Sequence, residues 1–171
     1  KTKLLNEIKA YDADIICLQD VDHYGDWWQP QLMYMGYDSL YRQRTDEVEE
    51  HLEGVVIAYK RDLFQLFKTE EVLFNRAGEQ DSALVRRRCR TDDVALMAFL
   101  QPWRPNYLES AVCIVSAMLS DHEPEDQVDV RFEHARYLTE CIETENRSYH
   151  LPVIIGMSMY DTPDSAAYHV L

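Results

Sequence analysis

The sequence predicts an α/β fold in which β-sheets lie inside and helices cover them on the outside. Helical and strand-like patterns alternate near both ends of the chain, and runs of strand length cluster in its middle. The 171 residues, 46% of them apolar and 28% charged, suffice for one domain with a sizeable core. We therefore expect a single domain over residues 1–171, built as an α/β sandwich.

Apolar spacing defines the elements of the first half. Leu4, Leu5, Ile8 and Tyr11 recur at the interval of a helix, whereas Ile15–Leu18 is an apolar run of strand length. Proline is tolerated in the first turn of a helix, and glycine often ends one. The expected elements are a helix near Leu4–Tyr11, a strand at Ile15–Leu18, a short helix at Trp28–Met35 that ends at Gly36, strands at Ser39–Arg44 and Gly54–Tyr59, and between these strands a solvated acidic loop at Asp46–Glu53.

The second half contains further strand-like runs, one long polar stretch and one amphipathic helix. A turn at Arg61-Asp62 would make Phe64–Leu73 the hairpin partner of the Gly54–Tyr59 strand. The polar stretch Arg76–Asp93 is expected to be a long loop. The remaining expected elements are strands at Val94–Leu100 and Ala111–Leu119, a helix with the stripe Val128, Phe132, Ala135, Leu138 and Ile142 and with His134 at its surface, a buried strand at Val153–Ile155, and a helix that starts at Thr162-Pro163-Asp164.

Charge and composition exclude several classes of protein. With 31 acidic and 17 basic residues the net charge is −14, which argues against wrapping nucleic acid by bulk electrostatics but leaves room for a short single strand in a local groove. No apolar run approaches the roughly 20 residues of a membrane span, and residues 1–11 lack the apolar core of a signal peptide. The four cysteines follow no CxxC spacing, which favours free thiols and an intracellular location.

One segment, Ala13–Asp22, reads Ala-Asp-Ile-Ile-Cys-Leu-Gln-Asp-Val-Asp. It resembles the ADIICLQEVD strand of the endonuclease/exonuclease/phosphatase superfamily, in the deadenylase-like branch that includes the carbon catabolite repressor type deadenylases, nocturnin and Angel. Five further segments resemble that branch in the same order: Trp28–Tyr37 its W.P.L...GY, Tyr41–Thr45 its Y..RT, Leu52–Lys60 its EGCAIFYK, Asp129–Ala135 its DVR..QA, and Pro152–Ser165 its PVIICGDFNSTPDS.

This resemblance implies a four-layer α/β/β/α sandwich and Mg²⁺-assisted hydrolysis of phosphodiester or phosphate bonds. In such a reaction oxygen ligands hold the metal, a carboxylate activates water, and a histidine stabilises the developing charge. The family's first strand would precede Lys1 and its closing strands would follow Leu171. The sandwich is therefore expected to be incomplete at both ends.

Most residues that this chemistry needs are replaced at the matching positions. Asp20 matches the metal-binding Glu of the family, and it is either a vestigial metal ligand or a strand-end acid bonded to backbone N–H groups. Ser116 and Met118 match the Asn and the catalytic His of the family's N-T-H strand. Met157 and Met159 match the Asp and the Asn of its G-D-F-N motif. Because a thioether neither carries a proton nor suits Mg²⁺ as a ligand, no catalytic residue is expected in this chain.

Two residues could rescue catalysis. The stretch from Gly156 to Pro163 is one residue longer than the family pattern, so a slip of register could bring Asp161 to the site. His122 could replace Met118 by swinging in from the following loop. The simpler interpretations are a turn residue before a helix for Asp161 and an exposed loop residue for His122.

Arg86, Arg87, Arg88 and Arg90 form the one dense basic cluster in this acidic sequence. They are candidates for contact with a nucleic-acid backbone or with an acidic partner. The alternative is an ordinary solvated loop.

The leading hypothesis is a catalytically degenerate domain that serves as a scaffold or interaction subunit in a larger assembly, an RNA-processing or ribonucleoprotein one. Under this hypothesis the domain needs no cofactor and does not bind a membrane. Its expected partners are other proteins, and RNA is a further candidate. One alternative is an active Mg²⁺-dependent 3′-exoribonuclease (deadenylase) or phosphodiesterase that uses Asp20, Asp161 and residues outside this chain. The other is a non-enzymatic RNA-binding module that uses Arg86 and Arg87.

Overall fold

A computed structural model describes residues 1–44, 53–79, 81–103, 111–120 and 129–171. Three predicted features therefore lie outside the described residues: His122, Val128, and the acidic run apart from Glu53. None of the described helices is both long and apolar enough to cross a lipid bilayer. The elements are α1 (Thr2–Tyr11), β1 (Ile15–Leu18), a π-helical turn (Tyr24–Trp28), α2 (Gln29–Tyr34), β2 (Tyr37–Gln43), β3 (Gly54–Lys60), β4 (Phe64–Leu73), a 3₁₀ turn (Phe74–Arg76), α3 (Ala83–Arg88), β5 (Val94–Pro102), β6 (Val112–Met118), α4 (Val130–Asn146), β7 (Val153–Ser158) and α5 (Ala166–Val170).

The described strands form two sheets that pack face to face. The first sheet has the order β1-β3-β2 and is antiparallel; the second has the order β4-β5-β6-β7, in which the pair β6-β7 is parallel. Side chains such as Ile57 from β3 and Ile114 from β6 fill the space between the sheets. The outer face of the first sheet carries α1 and α2, and that of the second carries α4 and α5. The predicted four-layer α/β/β/α sandwich is confirmed.

Trp28 anchors the first helical layer. Its ring is buried together with Leu32 of α2 against the outer face of the first sheet. Pro30 lies in the first turn of α2, where its missing N–H costs no helical hydrogen bond. Gly36 ends the segment with φ +91, a backbone conformation that favours glycine. The short helix predicted here is confirmed.

The predicted partner of β4 is wrong. It does not form a hairpin with β3; it pairs along its length with β5. Both edges of β3 are already occupied, by β1 and β2. The chain therefore leaves the first sheet at the turn after Lys60, where Leu63 N–H donates to Lys60 O at 3.1 Å, and enters the second sheet.

A β-bulge interrupts β4 at Phe67. Leu66 and Lys68 pair with adjacent residues of β5, so Phe67 is the extra residue. As a result, Leu66 and Leu73 both face the space between the sheets, although one has an even and the other an odd number. In a regular strand they would point to opposite faces.

The stretch Arg76–Asp93 was predicted to be a long loop, and this is wrong in part because it contains α3. The helix begins after Ser82, whose Oγ accepts a hydrogen bond from Val85 N–H at 3.4 Å. Its last turn carries three arginines, which the negative end of the helix dipole favours.

His134 on α4 is buried, which corrects its predicted place at the surface. Its ring stacks on Phe74 of the 3₁₀ turn, with centroids 4.5 Å apart. Asp129 caps the helix by accepting a hydrogen bond from Phe132 N–H at 3.2 Å. The other buried side chains of α4 are Val130, Arg131, Ala135, Leu138 and Ile142.

Two predictions near the C-terminus need correction. β7 is longer than predicted, and it is the outermost of the described strands of the second sheet, with Val153 and Ile154 exposed instead of buried. The helix predicted to start at Thr162-Pro163-Asp164 begins later. These three residues form a turn, and Ser165 caps α5 instead, its Oγ accepting from Tyr168 N–H at 3.2 Å.

The four cysteines are free thiols, as predicted. Burial raises the pKa of Cys17, Cys89 and Cys113 to about 11. At pH 8 a thiol with that pKa is a thiolate roughly 0.1% of the time, and the thiolate is the reactive form. We expect these three thiols to react with a disulfide reagent on the order of 100-fold more slowly in the native protein than in guanidinium. Equal rates in the two states would contradict this burial.

Candidate active-site cleft

The carboxyl ends of three strands meet at one mouth between the sheets. β6 and β7 are parallel and end at the same edge, and β1 of the facing sheet ends opposite them. Gln19, directly after β1, bridges the sheets because its Nε2 donates to Ser116 Oγ and to Gly156 O, each at 3.0 Å. We call this mouth the cleft and define it by Gln19, Asp20, Arg44, Ser116, Met118 and Tyr160.

Gly156 lets the two sheets approach each other at the base of the cleft. A Cβ at this position would lie 2.7 Å from Cys17 Cβ on the facing strand, closer than real Cβ atoms come. Glycine is therefore required here for space, with no positive φ involved. The close approach brings Gln19 within reach of both β6 and β7.

Asp20 and Tyr160 meet at the rim of the cleft. The Tyr160 O–H donates to Asp20 Oδ2 at 3.0 Å, and it also lies 3.9 Å from Met118 Sδ. Both residues have left-handed backbone, with φ of 53 for Asp20 and 51 for Tyr160. Such conformations are uncommon outside glycine and often occur at functional sites. A tyrosine hydroxyl is a partner that neither sequence interpretation of Asp20 anticipated.

Arg44 brings a positive charge to the cleft. Its Nη2 donates to Asp93 Oδ1 at 2.6 Å and lies 4.0 Å from Met118 Sδ. Burial alone would lower the pKa of Arg44, but the charges of Asp93 and Asp92 outweigh it and the net direction is upward. Burial also raises the pKa of Asp93, partly offset by the Arg44 charge. Asp93 lies at the end of the stretch predicted to be a loop, and no sequence pattern indicated this pair.

The structure corrects the predicted placement of Met157 and Met159. Both side chains pack, together with Ile155, against the helix-side core of the second sheet. Because side chains alternate along a strand, Gly156 and Tyr160 face the cleft instead. Ser116 and Met118 do lie in the cleft.

The sequence itself carried a signal for this register. Pro152–Ser165 contains 14 residues, the same number as the family string PVIICGDFNSTPDS, so no inserted residue is needed. The match without a gap places Ser158 at the family's Asp and Tyr160 at its Asn. In this register Met157, and not Gly156, matches the family's glycine.

Neither rescue of catalysis gains support. Asp161 Oδ2 lies 3.5 Å from Arg131 Nε, and its Oδ1 accepts a hydrogen bond from Thr162 N–H at 2.8 Å. These contacts fit the turn residue that was the simpler interpretation. His122 lies outside the described residues.

A magnesium ion does not fit the described part of the cleft. Mg²⁺ needs several hard oxygen ligands. Asp20 offers a carboxylate, but Met118 offers a soft sulfur and Arg44 a fixed positive charge. Within the ranges that the structure describes, no group of three or more His, Cys, Asp or Glu could hold a metal ion.

The predicted basic cluster lies on and after α3. Arg86, Arg87 and Arg90 are exposed, and together with Ala83 they line a shallow depression of about 270 Å³. Arg88 is half-buried and engaged in other contacts. The cluster is therefore a surface feature separate from the hydrogen-bonded centre of the cleft.

No family model matches the chain. Among curated proteins, it is 28% identical to Carbon catabolite repressor protein 4 homolog 2 of Arabidopsis thaliana over 100% of this chain and 32% of that protein. It is 36% identical to Protein angel homolog 2 of Bos taurus over 68% of this chain and 20% of that protein. The chain thus spans about a third or less of the length of these relatives.

Two solved structures share the fold over nearly the whole chain. ANGEL2, described as a 2′,3′-cyclic phosphatase in complex with adenosine-2′,3′-vanadate, superposes with a TM-score of 0.81 at 27% identity, covering 98% of this chain and 45% of that one. The human nocturnin catalytic domain with bound sulfate superposes with a TM-score of 0.80 at 22% identity, covering 97% of this chain and 58% of that one.

Proposed function

Because the chain belongs to the endonuclease/exonuclease/phosphatase superfamily, in the branch of the carbon catabolite repressor type deadenylases, nocturnin and Angel, we propose that it is a catalytically inactive member of that branch. It would serve as a scaffold or interaction subunit in an RNA-processing or ribonucleoprotein assembly. The observation that carries the proposal is Met118, which lies between the Arg44 guanidinium and the Tyr160 hydroxyl.

The position of Met118 matters because the reaction needs a proton-carrying group there. The family's catalytic His, which Met118 replaces, stabilises developing charge and handles a proton. A thioether has no proton to give and accepts hydrogen bonds only weakly. Loss of one positioned acid-base group commonly lowers rates by about 10²–10⁴-fold.

The surroundings of Asp20 support the same proposal. Its carboxylate oxygen Oδ2 already accepts the Tyr160 hydroxyl, so one ligand position is occupied by a neutral donor. The Arg44 charge is close enough to interact with Asp20, and a cation there repels a second cation. Among the residues that the structure describes, the donor set thus lacks both the number and the charge that a divalent ion needs.

The preserved core supports a scaffold. Both sheets, the outer helices and the glycine at their closest approach retain tight packing, with side chains such as Phe99 and Leu138 fully buried. We therefore propose that the domain acts by binding partners through its surface.

The decisive experiment is a hydrolysis assay of the purified protein with Mg²⁺ or Mn²⁺. Suitable substrates are a poly(A)-ended RNA and an RNA that ends in a 2′,3′-cyclic phosphate, the second chosen because ANGEL2 is described as a 2′,3′-cyclic phosphatase. We expect no metal-dependent product above the level of the matched Asp20→Asn variant. Turnover that requires the metal and disappears in Asp20→Asn would overturn the proposal in favour of an active phosphodiester hydrolase.

A further inference from the structure

Three exposed guanidinium groups surround one depression on the surface of this acidic protein. Arg86 and Arg87 belong to the last turn of α3, and Arg90 follows the helix. Cys89, between them in sequence, is buried and fixes the segment to the body of the domain. The arginines therefore project from an anchored base.

These arginines lack the acidic partners that several other arginines have. Arg42 pairs with Glu71, Arg44 with Asp93, and Arg136 with three acids. Within the described ranges, no carboxylate lies within ion-pair distance of Arg86, Arg87 or Arg90. In a chain with 31 acidic residues, three guanidinium ions without an ion-pair partner in the described part of the structure form a surface that can bind an anion from outside.

Arg90, one of the residues that line the depression, belongs to the segment that leads to the side of the domain where the cleft opens. β5 is antiparallel to β6, and Ala95 near its start pairs with Ala117 near the end of β6. The chain that leads into β5 therefore emerges at the cleft edge. Asp93 accepts a hydrogen bond from Arg44 in the cleft. Arg90 lies three residues before Asp93, so the Cα atoms of Arg90 and Asp93 are roughly 11 Å apart at most.

We propose that Arg86, Arg87 and Arg90 bind the phosphate backbone of single-stranded RNA at the rim of the cleft. The inference deepens the proposed function and rests on it, since it names the ligand that an inactive domain would hold without cutting. The fork of a guanidinium group matches two phosphate oxygens at once. A protein partner would need an apolar centre in its interface, whereas Ala83 is the one apolar residue among those the structure describes that lines this depression.

The net charge of −14 limits the extent of this binding but permits it. Charges further away than the Debye length of about 8–10 Å are largely screened at physiological salt, so the potential at the depression depends on the nearby groups: the three arginines, opposed by Asp81 and Glu133, which both act on Cys89. A short strand bound through three phosphates fits this surface; wrapping of a long duplex does not. The affinity should fall steeply as salt rises.

The test is fluorescence anisotropy with a labelled RNA of about 12 nucleotides, within the range that single-strand grooves bind. EDTA is present throughout, so hydrolysis cannot contribute. The variant carries Arg86→Gln, Arg87→Gln and Arg90→Gln. The matched control loses the same charge at three other exposed positions, with Lys3→Gln, Lys9→Gln and Arg147→Gln.

We expect the arginine variant to bind RNA on the order of 10–100-fold more weakly at about 0.1 M salt. The slope of the logarithm of the binding constant against the logarithm of the salt concentration should be smaller in magnitude by about 2, or about 0.7 for each phosphate that is no longer neutralised. The control should change by less than about twofold. Three outcomes would each overturn the proposal. The first is a salt dependence of RNA binding that the arginine variant leaves unchanged, and the second is an equal loss of RNA affinity in the control variant. The third is that polyglutamate of equal charge displaces the labelled RNA as readily as unlabelled RNA does. Because the metal is absent, hydrolysis in the separate assay would refute inactivity without altering this result.

Discussion

Asp93→Ala is expected to lower the free energy of unfolding by about 3–5 kcal/mol. The Asp93 side chain is 3% exposed and that of Arg44 is 12% exposed, with 2.6 Å between Oδ1 and Nη2. Removing the carboxylate leaves a guanidinium ion inside the domain without its counter-charge, which costs far more than the pair itself contributes. Urea unfolding followed by tryptophan fluorescence would measure the change.

Glu71→Ala is the matched control for this prediction. It breaks the ion pair of Arg42, whose partner carboxylate is half exposed, with 3.1 Å between the charged atoms. Exposed pairs contribute about 0–1 kcal/mol, so Glu71→Ala should be nearly neutral. Replacing both buried partners by apolar residues, as in Arg44→Met with Asp93→Leu, should recover most of the lost stability. Similar small losses for Asp93→Ala and Glu71→Ala would show that the pair is not buried in solution.

Phe99→Ala is expected to cost about 3–5 kcal/mol of stability. The Phe99 ring is fully buried on β5 in the helix-side core. It also contacts Tyr149, with centroids 5.6 Å apart, and Lys68 Nζ, which lies 4.9 Å from its centroid. Truncation would leave a cavity among these groups and remove the apolar face on which the lysine lies. Chemical denaturation of the variant and of the parent gives the difference directly.

Phe67→Ala tests whether burial, and not the aromatic ring as such, determines that cost. Phe67 packs edge-to-face with Phe99, with centroids 6.0 Å apart, but it is 40% exposed. About 1 kcal/mol is expected for truncating a ring that is only partly buried. A loss for Phe67→Ala as large as that for Phe99→Ala would contradict the assignment of the core to the helix side of β5.

Much of the fold could be predicted because apolar spacing is a local signal. The strands β1, β3, β5 and β6 are continuous apolar runs, and the stripe of α4 has helical spacing. The partner of β4 could not be predicted in this way, because strand pairing depends on which edges are free in three dimensions. α3 was missed since four of its residues are exposed, which leaves no apolar periodicity to detect.

The cleft could be predicted only in part, for a related reason. Asp20, Ser116 and Met118 follow from motifs that match without ambiguity, and all three lie in the cleft. The residues after β7 depend on register, and an error of one residue exchanges the two faces of a strand. Tyr160 was missed on this account, and Arg44 was missed because its counter-ion comes from a distant part of the chain.

The extra residue at Phe67 has a consequence for comparing β4 among related chains. Before Phe67, even-numbered residues of β4 face the space between the sheets. After Phe67, odd-numbered residues face that space. A related chain that lacks the extra residue must exchange polar and apolar positions throughout one half to bury the same surfaces. A substitution table for β4 is therefore meaningful only after the position of this irregularity has been fixed in each sequence.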